Sequence, residues 1–296
     1  MAGRAKLWLA AGVVAVLVGV VLWRQVPVAQ TGVPGKGGAP VQASRAEGAP
    51  SAASGPRQPE DSLAQERTAQ EFEALKQRAE AGDRVAQRLL AETYADCYFV
   101  NFDRVLFLSN LDARKHWLRD GARVVVLEKV AGERIAQCDA VNGGGPLEPN
   151  ATARWYAEAA RNGDLAARTM VRANDLRRHD PAVTAQLLEE VTASGDPAAV
   201  FYFGNTLRVD DAANPGEPTE ALATGEMATW AWMVAGCRMG YDCGPAGRVM
   251  VGFCLEGSGC TGEDAETYIR RELPTDAERA ELDRRVGEIL GLIEGQ

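Results

Sequence analysis

The chain contains 296 residues, of which 25% are charged and 46% hydrophobic, a composition typical of a folded globular protein. Its formal net charge of −9 is uneven, since residues 1–60 carry six basic and two acidic side chains whereas residues 61–296 carry 26 basic and 39 acidic ones. Such an acidic domain repels nucleic acid and anionic lipid, so no nucleic-acid partner is expected. A basic partner is the functional interpretation of this charge, and solubility alone is the alternative.

The first predicted element is an apolar run of 17 uncharged residues, Leu7–Trp23. At about 1.5 Å per residue it reaches the lower limit for crossing a bilayer, and Trp8 and Trp23 lie where interfacial aromatic residues belong. Basic residues before the run favour a cytoplasmic N-terminus. We therefore predict that residues 1–24 form a single-pass inner-membrane anchor with a periplasmic C-terminal domain. The alternative is a cleaved signal peptide that leaves a soluble periplasmic protein.

Residues 25–60 follow as a predicted linker. This segment contains six prolines among many Gly, Ala and Ser residues, and apart from valines it has no large apolar side chain. It cannot bury enough surface to offset its chain entropy, so it is expected to be a disordered tether. A flexible coil of about 35 residues has ends that lie roughly 30–35 Å apart.

Residues 61–296 are predicted to form an all-α domain, because one pattern recurs along them. A run of small residues is followed by Gly-Asp and then by alanine-rich apolar sequence. The glycine is expected to close one helix in the left-handed conformation, and the aspartate to cap the next helix. The predicted hinges are Gly82 and Asp83, Gly163 and Asp164, and Gly195 and Asp196, with a looser copy at Gly240 and Asp242.

Further helix boundaries follow from capping signals and apolar spacing. The first helix is expected to begin at Ser62, and a helix over Ala122–Cys138 to be interrupted at Gly132. The stretch from Phe102 to Leu118 suggests short helices. After Pro274, a terminal helix is expected to cover the open end of the domain, with an apolar stripe of Leu282, Val286, Ile289, Leu290 and Ile293.

Six cysteines lie in the predicted exported region, where disulfides are expected. Cys243 and Cys254 flank a predicted helix and are too far apart to pair, whereas Cys237 is close to Cys243 across a turn and Cys254 is close to Cys260 across a loop. This leaves Cys97 to pair with Cys138. The alternative is a zinc site formed by the last four cysteines, although its five-residue gaps exceed the usual spacing.

The segment Ala153–Ala167 resembles the Sel-one-like helical repeat, a relative of the tetratricopeptide repeat. The residues that match this family's pattern are Trp155, Tyr156, Ala159, Ala160, Gly163, Asp164 and Ala166. Residues 79–90 match the hairpin turn and residues 193–199 match it in part, while the glycine-containing linking loop of the family is missing. The resemblance implies an α-solenoid of helical hairpins that acts as a protein-interaction scaffold in a bacterial envelope.

No sequence pattern typical of an active site is present. The two histidines, His116 and His179, are expected to be a half-buried helix residue and a surface residue, and the pairs Asp210–Asp211 and Glu189–Glu190 to be surface charges. No phosphate loop, dinucleotide fingerprint or nucleophile motif occurs, so no catalytic residue, cofactor or metal is predicted. The predicted function is a membrane-anchored periplasmic scaffold with an unknown protein or peptide partner, and the alternative is a periplasmic hydrolase that acts on envelope material.

Overall fold

The computed structural model describes residues 59–175, 181–207, 222 and 226–295. Within these ranges it contains twelve α-helices and no strand, which confirms the all-α prediction. The helices are α1 (Pro59–Glu80), α2 (Arg84–Phe102), α3 (Arg104–Leu118), α4 (Gly121–Ala140), α5 (Ala151–Arg161), α6 (Leu165–Asn174), α7 (Pro181–Ser194), α8 (Pro197–Phe203), α9 (Glu226–Arg238), α10 (Arg248–Leu255), α11 (Ala265–Glu272) and α12 (Asp276–Glu294).

Several predictions concern parts of the chain outside the described residues. They are the anchor, the linker before Pro59, His179 and the pair Asp210–Asp211. None of the described helices combines the length and the apolar content needed to cross a bilayer.

The three predicted Gly-Asp hinges have the expected geometry. Gly82, Gly163 and Gly195 have φ values of +93°, +87° and +61°. Each following aspartate is the N-cap of the next helix, and its side chain accepts hydrogen bonds from the backbone N–H groups of the first turn. These turns join α1 to α2, α5 to α6, and α7 to α8. The looser copy is confirmed at its glycine, since Gly240 follows α9 with φ +109°, but the N-cap of α10 is Gly247 rather than Asp242.

The structure corrects four of the predicted local features. Helix α1 begins at Pro59 rather than Ser62, since proline is well suited to the first turn of a helix. Helix α4 continues through Gly132, because burial of its neighbours Leu127 and Ala131 offsets the roughly 1 kcal/mol that a helical glycine costs. The stretch before Leu118 forms one 15-residue helix, α3, and the side chain of His116 on it is exposed rather than half-buried.

Two main groups of buried apolar side chains hold the helices together. The larger group surrounds Trp232 of α9 and Phe203 of α8, and the stripe of α12 packs against it as predicted. Gly236 allows α9 to approach α8 closely, because a Cβ atom at this position would lie 2.7 Å from the Cβ of Phe201. The second group lies between α1, α2 and α4 around Leu90.

The hinge geometry predicts opposite effects of one substitution at two glycines. Gly163→Ala should destabilise the fold by about 1 kcal/mol, because alanine resists the left-handed conformation. Gly287→Ala, in the middle of α12 with open space around it, should instead stabilise by about 0.5–1 kcal/mol. Urea unfolding followed by circular dichroism measures both changes. Equal shifts for the two variants would contradict the hinge role of Gly163.

Candidate functional site

A network of charged and phenolic side chains crosses the interior between α2, α4, α6, α8 and α10. We call it the polar network, and it consists of Arg88, Glu92, Asp96, Arg134, Asp164, Tyr202, Tyr241 and Arg248. Sequence reasoning did not find it, although Arg88, Glu92 and Asp96 follow one another at four-residue spacing on α2 and therefore share one face of that helix.

The first half of the polar network is centred on Arg88. Its Nη1 donates to Oε1 of Glu92 at 2.8 Å, and its Nε donates to Oδ2 of Asp164 at 3.2 Å. All three residues are buried. Burial opposes the charge of Arg88, but the two carboxylates outweigh this effect and raise the pKa of the guanidinium. Burial also raises the pKa of Asp164, which in addition caps α6.

The second half is centred on Arg248, the first residue of α10. Its Nε contacts both carboxylate oxygens of Asp96 at 2.9 and 3.0 Å, and its Nη1 donates to the hydroxyl of Tyr202 at 2.9 Å. That hydroxyl donates to Glu92 at 2.8 Å and accepts a hydrogen bond from Tyr241 at 2.9 Å, so it joins the two halves. Burial raises the pKa of Tyr202, which keeps the hydroxyl protonated and able to donate.

The polar network is balanced in charge, with three arginines facing three carboxylates. Arg134 completes the balance, because its Nη1 lies 2.8 Å from Oδ2 of Asp96. Every carboxylate in the network is therefore held by at least one arginine, and none is available as a free general base. The arrangement joins helices that are distant in the sequence, which is a structural role.

The six cysteines form the three predicted disulfides. The Cα–Cα distances are 5.2 Å for Cys97–Cys138, 5.5 Å for Cys237–Cys243 and 4.3 Å for Cys254–Cys260. The alternative zinc site is wrong, since all four of its sulfur atoms are in disulfides. Elsewhere in the described part of the chain, no group of three or more metal-binding side chains is placed to hold an ion.

A shallow cleft of about 360 Å³ lies beside the Cys237–Cys243 disulfide. Its charged walls are provided by Arg238, Glu266 and Arg270, with Asp283 behind them. Arg238 donates to Glu266 at 2.7 Å, and Arg270 is paired with both acids. These four charges pair with one another. Asp264, which also lines the cleft, is the N-cap of α11, and its side chain accepts a hydrogen bond from the backbone N–H of Thr267 at 2.8 Å.

Two exposed apolar surfaces lie at opposite ends of α3. We call the first the apolar tip; it comprises Tyr98, Phe99 and Phe102 in the last turns of α2, and Val105 and Leu106 in the first turn of α3. We call the second the Trp117 patch; it comprises Trp117 at the end of α3 and Val125 in the second turn of α4. Since α3 rises about 1.5 Å per residue, Val105 and Trp117 are about 18 Å apart along it.

The exposure of these side chains is unusually high for large apolar residues. Trp117 is 83% exposed, Val105 79% and Phe99 60%. They are exposed because Leu111 is the one buried residue of α3, so most of the circumference of this helix faces solvent. An exposed apolar group of this kind marks an interaction site more often than an isolated surface leucine does. The sequence interpretation placed Trp117 only within a stretch of short helices and missed this feature.

The acidic pair Glu189–Glu190 lies on α7, within the described residues. Glu190 is ion-paired with Arg168 of α6, and the neighbouring Gln186 donates to it at 3.1 Å. This carboxylate is therefore engaged in holding α7 against α6.

Comparison with known proteins finds no matching family model, no matching curated protein and no matching solved structure. The resemblance to the Sel-one-like repeat therefore rests on the motif residues alone.

Proposed function

We propose that the chain is a membrane-anchored periplasmic scaffold of the bacterial envelope, a Sel-one-like, tetratricopeptide-related helical-repeat protein that docks another protein or peptide. The observation that carries the proposal is the Trp117 patch. A tryptophan with 83% of its surface in solvent, at the end of a helix that is held by Leu111, presents a large apolar contact area. Tryptophan and arginine are the residues most enriched among the energetic centres of protein interfaces.

The surroundings of Trp117 indicate the chemistry of the partner. Arg119 follows it in the α3–α4 turn with a left-handed backbone, φ +52°, and is exposed. Other basic side chains of this stretch interact with acids of the domain, since Arg104 is paired with Asp139 and Lys115 with Glu128. Arg119 is therefore the cation that the proposal uses, and it favours an apolar segment with an acidic residue beside it.

The hydrolase alternative receives no support from the carboxylates of the polar network or from Glu190. The carboxylates of the polar network are all held by arginines, and Glu190 is paired with Arg168. A scaffold needs only rigid elements and an exposed contact surface, and both are present.

The proposal predicts that Trp117→Ser abolishes partner binding. In cells that express the full chain, in-cell cross-linking followed by mass spectrometry should identify a partner whose recovery falls about 30-fold with Trp117→Ser, the change that a loss of about 2 kcal/mol represents. The matched control is Val183→Ser, at an exposed valine of α7. Equal recovery by the native chain and the Trp117→Ser variant would contradict the proposal, and turnover of cell-wall fragments by the purified chain would favour the hydrolase.

A further inference from the structure

The apolar tip lies at the end of the domain where the N-terminal segment enters. Helices α1 and α2 form an antiparallel hairpin through the Gly82 turn. The rings of Phe72 and Tyr94 are 6.2 Å apart, and the side chain of Gln87 donates to the carbonyl of Ala79 at 3.0 Å. This register places Phe102 level with residue 64, which is about 8 Å along α1 from its start at Pro59.

The composition of the apolar tip is typical of a surface at a membrane–water interface. Tyr98 stacks on Phe102 with ring centroids 5.5 Å apart, and Phe99 and Val105 lie beside them in the same short stretch of the chain. Phenylalanine is one of the side chains that surface-bound segments bury at the boundary between headgroups and acyl chains. The surface therefore combines aromatic rings with branched aliphatic side chains at a single projecting corner.

The charge around the apolar tip also permits contact with lipid. Asp103 is used within the protein, because its side chain accepts from the backbone N–H of Leu106 at 2.8 Å. Arg104 is paired with Asp139 at 2.6 Å. The charges nearest the apolar tip are thus two carboxylates, Asp103 and Asp139, and one guanidinium, Arg104, so a lipid surface without net charge is the one that this corner tolerates.

We propose that the apolar tip inserts into the surface of the bilayer that residues 1–24 are predicted to span. The proposal rests on that anchor and is independent of the partner that binds at Trp117. The linker predicted for residues 25–60 would, as a coil of about 35 residues, have an r.m.s. length of roughly 30–35 Å. Tethering of this length would give the apolar tip an effective concentration of about 1 mM at the bilayer, so a dissociation constant below about 1 mM would be enough for docking.

Docking by the apolar tip would also orient the domain. If α3 stands steeply on the bilayer, insertion at one end of this helix leaves Trp117 about 18 Å further from the lipid surface and accessible to a partner. The two surfaces thus have separate occupants, a bilayer at one end of α3 and a protein at the other.

Hydroxyl-radical footprinting of the full chain in phosphatidylcholine nanodiscs tests this proposal. After normalisation to intrinsic side-chain reactivity, labelling of Phe99 and Phe102 should be at least five-fold lower than labelling of Trp117, although Phe99 is 60% exposed in the protein itself. In the double variant Phe99→Ser/Val105→Ser, labelling of Phe102 should rise several-fold. The control Val171→Ser/Val183→Ser, which changes two exposed valines outside the tip, should leave Phe102 protected.

The remaining outcomes separate the steps of the proposal. If the chain does not stay with the nanodisc, residues 1–24 are not an anchor and the inference is overturned. The proposed partner binding at Trp117 is not affected by that result. Labelling of Phe99 equal to that of Trp117 in nanodiscs overturns lipid insertion. If Phe99 is labelled in nanodiscs but protected in intact cells, a protein rather than lipid covers the apolar tip. Circular dichroism of each variant confirms that its helices are retained.

Discussion

Replacing Arg88 by methionine is expected to destabilise the domain by about 3–5 kcal/mol, the usual result of removing one partner from a buried ionic group. Arg88 is the shared partner of Glu92 and Asp164, and all three are buried. Its removal leaves two carboxylates in a region of low polarity with one guanidinium fewer to compensate them. Urea unfolding followed by circular dichroism measures the loss as a lower midpoint at unchanged slope.

The chain provides a matched control for this substitution. Arg78 is paired with Asp83, the N-cap of α2. Arg88 is paired in the same way with Asp164, the N-cap of α6. The side chain of Arg78 is 61% exposed, so solvent screens its pair and Arg78→Met should have a much smaller effect. Comparable losses from the two variants would contradict the assignment of the polar network as a buried ionic group.

A double variant separates uncompensated charge from lost packing. Adding Asp164→Asn to Arg88→Met leaves Arg134 and Arg248 facing Glu92 and Asp96, so the polar network is again balanced in charge. Most of the lost stability should then return, because replacement of both members of a buried ion pair by neutral residues of similar size is often close to neutral. No recovery would show that the stem of Arg88, rather than its charge, holds α2 against α6.

Removing the Cys97–Cys138 disulfide is expected to destabilise by about 4 kcal/mol in the loop-entropy model, since it closes a loop of about 40 residues. The two cysteines are 41 residues apart, and both sulfur-bearing side chains are fully buried in the group between α1, α2 and α4. The variant Cys97→Ala/Cys138→Ala keeps small apolar side chains in place and removes the covalent link. Thermal and urea unfolding under non-reducing conditions measure the change.

The Cys254–Cys260 disulfide is the matched control for the longer link. Its cysteines are six residues apart, so the same model gives about 2 kcal/mol for Cys254→Ala/Cys260→Ala. Both of its cysteines are also buried, which keeps the comparison free of a difference in exposure. A larger loss for the short loop than for the long one would show that packing rather than chain entropy dominates.

The features that sequence predicted are local ones. The Gly163–Asp164 turn follows from two residues whose backbone preferences are strong, and the pairing of Cys237 with Cys243 follows from helix length alone. The polar network depends instead on contacts such as Arg88–Asp164, between residues 76 positions apart, and no local pattern specifies these. Trp117 was missed for a related reason, because apolar residues in a helical stretch indicate a helix but not whether another element covers its face.

The polar network limits how early the domain can pack during synthesis of the chain. Asp96 of α2 contacts Arg248 of α10, which lies 152 residues later in the chain. At a synthesis rate of about 5–20 residues per second, roughly 8–30 s pass before the second residue follows the first. During this interval Glu92 and Asp96 lack the partners that the C-terminal half supplies. We therefore expect the early helices to remain loosely packed until α10 has been synthesised. The buried core of the domain would then form late and in one cooperative step.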